Sequence, residues 1–281
     1  MDQVSRSVLI TGCSSGIGHA SALRLRRAGH RVYATARHPA ALEELRAAGC
    51  LTPALDVNDE ASMLAAVREI ESREGAVDVL INNAGYSQSG ALESVPMERL
   101  RAQFETNVFG LLRMCQLVLP GMRRQHRGRI LNVSSIGGRL TFPGGGAYHA
   151  TKHAVEALSD ALRFEVQGFG VDVVVVEPGF IRTAFSEVAQ REMPATTGDA
   201  YAAFNAQVQR ATAGVYEKAP WSWLGGDADA VARVIERAIA ARRPRTRYRV
   251  TASARLLLTM RALSTDRLWD WSMKTMFQPP Q

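Results

Sequence analysis

Three side chains near the middle of the sequence have the types and spacing needed for proton transfer. Residues 135–152 (SIGGRLTFPGGGAYHATK) contain the hydroxyl of Ser135, the phenol of Tyr148 and the ammonium of Lys152. Tyr148 and Lys152 are four residues apart, so a helix through both places their side chains on one face. A neighbouring cation favours the phenolate and lowers the pKa of tyrosine from about 10. The pair fits acid–base catalysis; a half-buried Tyr beside a solvated Lys is the alternative.

The residues around this stretch predict the elements that position it. GRILNVS has the composition of a short buried strand, and the apolar spacing of AYHATKHAVEALSDALRFEV indicates a helix. Ser135 then lies just past a strand end, where open α/β sheets bind their ligands.

A glycine-rich stretch near the N terminus predicts a phosphate-binding turn. The strand-like SVLI leads into TGCSSGIG, which contains Gly12, Gly16 and Gly18, and a helical segment then ends at Gly29. Glycines let the backbone approach a pyrophosphate, and the helix N terminus adds free N–H groups and partial positive charge. The spacing is G-x-x-x-G-x-G rather than G-x-G-x-x-G, so a purely structural turn is the alternative.

The residue after the second predicted strand bears on the choice of dinucleotide. RVYATA is followed by Arg37, which comes 19 residues after Gly18. An acid in this region holds the ribose hydroxyls of NAD, whereas a base accommodates the 2′-phosphate of NADP. Residues 35–38 include no acid, which favours NADP(H) over NAD(H). A surface role for Arg37 is the alternative.

The alternation of strands and helices continues and predicts the fold. LTPALDV is a third strand, and 60–73 is a helix. A long helix runs from an N-cap at Ser94 to about residue 124 and contains Asn107. The pattern predicts an α/β, Rossmann-like doubly wound parallel sheet of about seven strands with helices on both faces, in one domain over 1–281. Strand ends bring further polar and backbone groups toward the site, namely Asp56, Asn82, Asn83, Ala84, Gly85, Pro178 and Gly179.

Residues 180–225 interrupt this alternation and predict a substrate lid. Long irregular segments are usually lids or binding loops, and this one is rich in large apolar side chains. We interpret it as the wall of an apolar pocket; a small second core is the alternative. Its large apolar residues are Phe180, Phe185, Met193, Tyr201, Phe204, Tyr216, Trp221 and Trp223.

Residues 252–281 predict a C-terminal amphipathic helical extension. Leu256, Met260 and Leu263 share one helix face, and Leu268 and Trp271 share another. We expect this extension to pack over the pocket or onto a second subunit. Docking at a membrane surface, which tryptophan with basic residues also suits, is the less favoured alternative.

Composition narrows the classes of function. The net charge of +7 comes from scattered arginines, which does not make the basic face with helical or aromatic readers that nucleic-acid binding needs. Three cysteines with no CxxC argue against disulfides and a metal site and suit a cytoplasmic protein. No stretch has the composition of a signal peptide or a membrane span, so a soluble cytoplasmic protein is expected.

Taken together, the ordered motifs resemble the short-chain dehydrogenase/reductase family. They are TGCSSGIG at 11–18, NNAG at 82–85, Asn107, Ser135, YHATK at 148–152 and PGFIRT at 178–183. Ser135 precedes Tyr148 by thirteen residues, as in the family pattern. The lid and C-terminal segment most resemble the hydroxysteroid and retinol dehydrogenase branch.

The resemblance implies roles for individual residues. Tyr148 would be the general acid or base, and Lys152 would lower its pKa and bind the nicotinamide ribose. Ser135 would hold the substrate oxygen, and Asn107 would hold a water that links Lys152 to solvent. The cofactor would be bound by Gly12, Ser14, Ser15, Gly16, Ile17, Gly18, Arg37, Asp56, Val57, Asn83, Ala84, Gly85, Tyr148, Lys152, Pro178, Gly179, Ile181 and Thr183.

The sequence therefore predicts an NADP(H)-dependent oxidoreductase that interconverts a ketone or aldehyde and an alcohol on a bulky apolar substrate. The turn residues Cys13, Ser14 and Ser15 lack the basic residue of many NADP-binding members, so Arg37 would recognise most of the 2′-phosphate. The family implies a homodimer or homotetramer. An NAD-linked alcohol dehydrogenase and a non-catalytic nucleotide sensor are the alternatives.

Overall fold

A parallel β-sheet forms the centre of the structure, a computed structural model that describes residues 5–183, 200–217 and 221–280. The strand order is β2-β1-β3-β4-β5-β8, and every pair in it is parallel. Two further short strands, β6 and β7, pair separately. The strands are Ser7–Ile10 (β1), Arg31–Ala34 (β2), Val79–Asn82 (β3), Gly128–Val133 (β4), Val171–Glu177 (β5), Ile181–Arg182 (β6), Gly226–Asp227 (β7) and Arg247–Arg249 (β8).

Helices cover both faces of this sheet. Those of the first half are Gly16–Arg27 (α1), Glu43–Ala47 (α2), Glu60–Glu74 (α3), Met97–Phe104 (α4) and Leu111–Arg124 (α5). Those of the second half are Gly146–Val166 (α6), Ala202–Glu217 (α7), Trp221–Leu224 (α8), Ala228–Ala240 (α9), Ala252–Leu263 (α10) and Asp266–Met276 (α11). None of these helices has the length and apolar character that crossing a bilayer requires.

The period of two along each strand divides the core into two layers. In β1, Val8 and Ile10 face a layer that includes Leu25 of α1 and Ile235 of α9. Leu9, between them, belongs to the opposite layer, which contains residues of α3, α5 and α6. A sheet covered on both faces buries its strands completely, which explains the uninterrupted valines of β5. The predicted doubly wound architecture is confirmed.

The third predicted strand is not a full strand. Leu51 and Ala54 form only isolated parallel bridges, to Tyr33 and Ala36 at the edge beyond β2. Pro53 lies between them and has no N–H to donate, so the ladder cannot continue across it. The main sheet therefore has six strands, beside the prediction of about seven.

Two predicted helix boundaries also differ from the structure. The long helix begins after Pro96, while Ser94 ends a separate 3₁₀ turn, so Ser94 is not its N-cap. The C-terminal extension is two helices, because Ser264 ends the first and the Thr265 hydroxyl caps the second by accepting a hydrogen bond from Leu268 N at 3.3 Å.

The apolar stripe predicted on the C-terminal helices faces solvent rather than the pocket. Leu257, Leu258 and Trp269 form the buried side and pack in a cluster with Ile136 and Leu140. The predicted stripe consists of exposed side chains, namely Leu256, Met260, Leu263, Leu268 and Trp271. Apolar residues at adjacent positions give α10 two apolar faces, and the extension packs against Ile136 and Leu140 through the face that does not carry this stripe.

A buried arginine ties α9 to the sheet. Arg129 on β4 is 5% exposed, and its guanidinium donates to the carbonyls of Ala238, Ile239 and Ala241 at 2.6–2.9 Å. The same group pairs with Asp172 at 2.6 Å. A cation at a helix C terminus satisfies carbonyls that lack intrahelical partners and opposes the helix dipole.

Candidate active site

A cavity of about 460 Å³ opens beyond the carboxyl ends of β1, β3, β4 and β5. Its walls are the loops that follow these four strands and β2, together with residues 55–58, Thr106 and the first two turns of α6. Parallel strands end at the same edge of a sheet, so residues distant in sequence converge there. Tyr148, Lys152 and Ser135 all line this cavity with the glycine-rich turn.

The glycine-rich turn leaves a backbone-lined space at one end of the cavity. A Cβ on Gly12, where φ is +72°, would lie 2.8 Å from Ala84 Cα. A Cβ on Gly18 would lie 2.3 Å from the Gly12 carbonyl oxygen. Only glycine allows this close approach, and the N terminus of α1 faces the space it leaves. These residues fit a dinucleotide pyrophosphate.

Hydrogen bonds fix this turn to the loop after β3. Asn83 Nδ2 donates to the carbonyls of Thr11 at 3.0 Å and Gly12 at 2.9 Å. In return, the buried Thr11 hydroxyl accepts hydrogen bonds from Asn83 N and Ala84 N. The turn is therefore held from both strands and cannot widen independently.

Arg37 and Asp56 lie at the far end of the same cavity. The Arg37 side chain is exposed, and it forms no ion pair with another described residue. Asp56 Oδ1 accepts a hydrogen bond from Asn58 N at 3.0 Å, which shapes the turn before α3. This end therefore offers one uncompensated cation.

Lys152 is the buried cation of the site. It is 6% exposed, its Nζ donates to the Val133 carbonyl at 2.8 Å, and Nζ lies 5.8 Å from the centre of the Tyr148 ring. Burial lowers the pKa of Lys152 from 10.5 to about 8, and the charge of Glu156 opposes this shift. A buried ammonium next to a phenol favours ionisation of the phenol.

Ser135 stands at the end of β4, where it begins a short 3₁₀ turn. Its Oγ accepts a hydrogen bond from Gly137 N at 3.1 Å. Since the hydroxyl uses a lone pair in that contact, its proton is available to a ligand oxygen in the cavity. The backbone bond therefore orients the hydroxyl.

Asn107 lies behind the cavity in an irregular turn of the long helix. Residues Glu105–Gly110 form a π-helical segment, a feature that often accompanies functional sites. The fully buried Asn107 accepts from Tyr86 N at 3.1 Å and donates to Tyr86 O at 2.9 Å and to Thr151 at 3.1 Å. Asn107 thus fixes the turn after Gly85 to the helix that carries Tyr148.

The sequence analysis named Phe180 in the apolar wall of the cavity but missed Phe142 and His149. Phe142, Phe180 and His149 line it, and His149 is only 8% exposed. Burial lowers the pKa of His149 to about 4, so the ring is neutral and its Nδ1 accepts from Phe142 N at 3.3 Å. The one available signal was that His149 follows Tyr148 on the same helix.

Most predicted site residues do line this cavity. Those that do are Gly12, Ser14, Ser15, Gly16, Ile17, Arg37, Asp56, Val57, Asn83, Ala84, Gly85, Ser135, Tyr148, Lys152, Pro178, Gly179, Ile181 and Thr183. Gly18 and Asn107 do not line it and instead support the residues that do.

The predicted lid is described only in part. Phe180 lines the cavity, whereas Trp223 is 81% exposed. Helix α7 packs against the segment between β3 and α4, where Asn205 Oδ1 accepts a hydrogen bond from Ala91 N at 2.9 Å. Phe185 and Met193, and the side chains of Tyr216 and Trp221, lie outside the described residues.

Comparison with known proteins gives consistent results. The short chain dehydrogenase family model matches residues 6–194. A 3-ketodihydrosphingosine reductase of Bacteroides thetaiotaomicron is 45% identical over 180 residues, which span 64% of this chain and 65% of that enzyme. The crystal structure of a short-chain dehydrogenase from Streptomyces avermitilis superimposes with a TM-score of 0.81, at 35% identity and 98% coverage of both chains.

Similar structures have been solved with both nicotinamide dinucleotides. A serine dehydrogenase complexed with NADP⁺ has a TM-score of 0.75 at 26% identity and covers 87% of this chain and 94% of its own. A 3-ketoacyl-(acyl-carrier-protein) reductase from Brucella melitensis with NADH has a TM-score of 0.73 at 25% identity, with 88% and 97% coverage. These similarities support binding of a nicotinamide dinucleotide and do not distinguish NADP(H), which carries the 2′-phosphate, from NAD(H).

Proposed function

This chain belongs to the short-chain dehydrogenase family and is an NAD(P)-dependent oxidoreductase of CH–OH and carbonyl groups, and we propose that within this class it is an NADP(H)-dependent enzyme for bulky apolar substrates. In this proposal Tyr148 transfers the proton. The observation that carries it is the position of Lys152, a buried ammonium 5.8 Å from the Tyr148 ring and inside the same cavity as the glycine-rich turn.

The cofactor would extend from the glycine-rich turn to Lys152. The backbone space beside Gly12 suits the pyrophosphate, and Lys152, Ile181 and Thr183 line the end where the nicotinamide and its ribose would lie. When bound, the nicotinamide supplies or accepts the hydride. The protein contributes binding, orientation and a place for the proton.

The proton would pass through Tyr148. In carbonyl reduction its phenol donates to the substrate oxygen, and in alcohol oxidation its phenolate accepts a proton from the hydroxyl. Lys152 stabilises the phenolate through its charge. Ser135 donates its free proton to the same oxygen and stabilises charge that develops there. Asn107 holds the backbone behind this group and, in our proposal, a water that leads to Lys152.

The preference for NADP(H) rests on Arg37. Its exposed guanidinium lies at the cavity end opposite Lys152 and has no carboxylate partner among the described residues. A 2′-phosphate would satisfy it by bidentate hydrogen bonds. An acid that could hold ribose hydroxyls in its place is absent from 35–38.

The apolar wall supports a bulky apolar substrate. Phe142, Phe180 and Ile136 line the cavity on the side away from Arg37. The similarity to a reductase of 3-ketodihydrosphingosine points in the same direction. We therefore propose long-chain or polycyclic ketones and the corresponding alcohols as the substrate class.

Two further parts of the proposal concern the molecule in the cell. A cytoplasmic location is supported by three free, buried cysteines. A homodimer or homotetramer is supported by apolar side chains on the outer side of the α4–α5 region, where Phe109 is 53% exposed and Met97 is 51% exposed. Analytical ultracentrifugation would test this oligomeric state by measuring the mass of the protein in solution.

Replacement of Tyr148 by Phe tests the proposed mechanism. Loss of general acid–base catalysis lowers turnover by about 10³-fold. Binding of NADPH, measured by fluorescence titration, should change less than about threefold, because the ring is retained. Tyr86→Phe removes a hydroxyl from the same cavity and is the matched control. Turnover by Tyr148→Phe at the rate of the control would exclude Tyr148 as the proton donor.

A further inference from the structure

We propose that the outer faces of α10 and α11 form a docking surface for an anionic phospholipid bilayer. This surface, here called the C-terminal apolar face, consists of Leu256, Met260, Leu263, Leu268 and Trp271. It goes beyond the proposed reaction and does not depend on it.

The C-terminal apolar face consists of large side chains that point into solvent. Leu263 is 82% exposed and Trp271 is 63% exposed, and the other three members are 44–52% exposed. Leu256, Met260 and Leu263 follow the i, i+4, i+7 spacing of one helix face. Trp223 of α8, which lies against α10, is also 81% exposed. Clusters of large exposed apolar side chains mark interaction sites.

Basic side chains border this face. Arg267 and Lys274 lie four residues before and three residues after Trp271, so all three share one side of α11. Arg255 precedes Leu256 on α10. None of these three cations forms an ion pair with a described residue, whereas Arg261 is paired with Asp266 at 2.7 Å. Arg267 and Lys274 therefore lie next to Trp271, and the exposed Asp270 lies three residues after Arg267.

This combination favours a bilayer over a second copy of the chain. The two helices carry four basic and two acidic side chains, so two copies joined through this face would bring together like net charges, in a protein with a net charge of +7. An anionic lipid surface complements them. Long basic side chains reach the headgroups while leucines enter the acyl boundary, and tryptophan prefers that interface.

The same helices pack behind the cavity wall. Trp269, on the inner side of α11, lies 6.3 Å from the Phe142 ring, and Leu258 of α10 belongs to the same cluster as Ile136. Phe142 and Ile136 line the cavity. A bilayer on the outer face would therefore lie one helix layer from the substrate side of the site.

Vesicle flotation with the full chain tests the proposal. Two kinds of vesicle serve as probes: phosphatidylcholine alone, and phosphatidylcholine mixed with about 30% of the anionic lipid phosphatidylglycerol. We expect at least a tenfold preference for the anionic vesicles, which added salt reduces. The Leu263→Ser/Trp271→Ser double variant should lose at least tenfold. Phe164→Ser, which removes a 77% exposed ring from α6, is the matched control and should remain within about twofold of the unmodified chain.

A second variant separates the docking surface from a folding defect. Arg267→Gln/Lys274→Gln changes two exposed side chains without ion pairs among the described residues, and we expect it to melt as the unmodified chain does. At about fivefold per charge, it should lower binding to anionic vesicles by about 25-fold. Equal binding by both double variants and the unmodified chain would overturn the proposal. A smaller sedimenting mass for Leu263→Ser/Trp271→Ser, with no vesicle binding by the unmodified chain, would instead identify an interface between copies.

Discussion

The two ends of the cavity are built in different ways. At the nucleotide end, backbone atoms of Gly12, Gly18 and Ala84 define the space. Hydrogen bonds that Asn83 Nδ2 donates and that the Thr11 hydroxyl accepts fix it. At the substrate end, side chains such as Phe142, Phe180 and His149 define the space. The nucleotide end therefore presents backbone groups, which every residue type has. The substrate end presents side chains, which differ from residue to residue.

Because the two ends are built differently, we expect amino-acid substitutions at them to have different consequences. A space made of backbone tolerates almost no substitution, because any added atom meets a neighbour that cannot move aside. A space made of side chains can change its shape while the strands and turns around it stay in place. Selectivity for the substrate can therefore vary while the nucleotide end is retained.

The largest expected effect is at the nucleotide end. In Gly18→Ala the new Cβ would meet the Gly12 carbonyl oxygen at 2.3 Å and Asn83 Nδ2 at 2.6 Å. The turn must open, so we expect the dissociation constant for NADPH, measured by calorimetry, to rise about 1,000-fold or more. Gly168→Ala, where no atom lies within 4 Å of the added Cβ, is the control. Unchanged NADPH affinity in Gly18→Ala would show that the backbone-lined nucleotide end is not rigid.

At the substrate end, we expect acidification to lower the free energy of unfolding by about 3 kcal/mol through His149. The pKa of His149 is about 4 in the folded protein and near 6.5 when unfolded, so between these values the unfolded state binds more protons. Stability contributed by His149 is therefore complete above about pH 6.5 and is lost as the pH falls toward 4. His149→Gln should flatten the decline in unfolding free energy between pH 6.5 and 4, measured by denaturant titration.

The exposed His38, which follows Arg37 and does not contribute to the pKa shift of His149, provides the control for this measurement. His38→Gln should leave the acid decline as it is. If His149→Gln and the unmodified protein lose stability in parallel between pH 6.5 and 4, His149 is not neutral in the fold.

A smaller effect is expected from the one nucleotide-end residue that acts through its side chain. Arg37→Asp should change the ratio of kcat/KM values for NADPH and NADH by about 30-fold toward NADH, because repulsion replaces the attraction of the 2′-phosphate. The melting temperature should not move, since Arg37 forms no ion pair among the described residues. Arg27→Asp, an exposed charge on α1, controls for net charge. An unaltered ratio would assign the 2′-phosphate to another group.

The sequence was most informative where spacing or residue type determines backbone geometry. The β-branched run of β5, the glycines at 12–18 and the four-residue separation of Tyr148 and Lys152 each allow few structures. For this reason the doubly wound sheet and the convergence of Ser135, Tyr148 and Lys152 on one cavity could be predicted.

Other features depend on tertiary contacts that periodicity does not encode. The π-helical turn at Asn107 exists beside a close packing contact, in which a Cβ on Gly110 would lie 2.5 Å from the Val57 carbonyl. Leu256 and Leu257 are adjacent and equally apolar, so only packing decides which one is buried. Pro53 interrupts a strand that its neighbours would otherwise form.

The contacts of Arg129 have a consequence for the mechanics of the molecule. One planar cation holds the last turn of α9 by three carbonyls while it pairs with Asp172 on the neighbouring strand. It sits near the start of β4, whose other end carries Ser135. A lysine at this position would bring a point charge with three donors instead of a fork with five, so it could not serve four acceptors in these directions. The amino end of β4 is thus anchored to the last turn of α9 and to β5, at the edge of the sheet opposite the cavity.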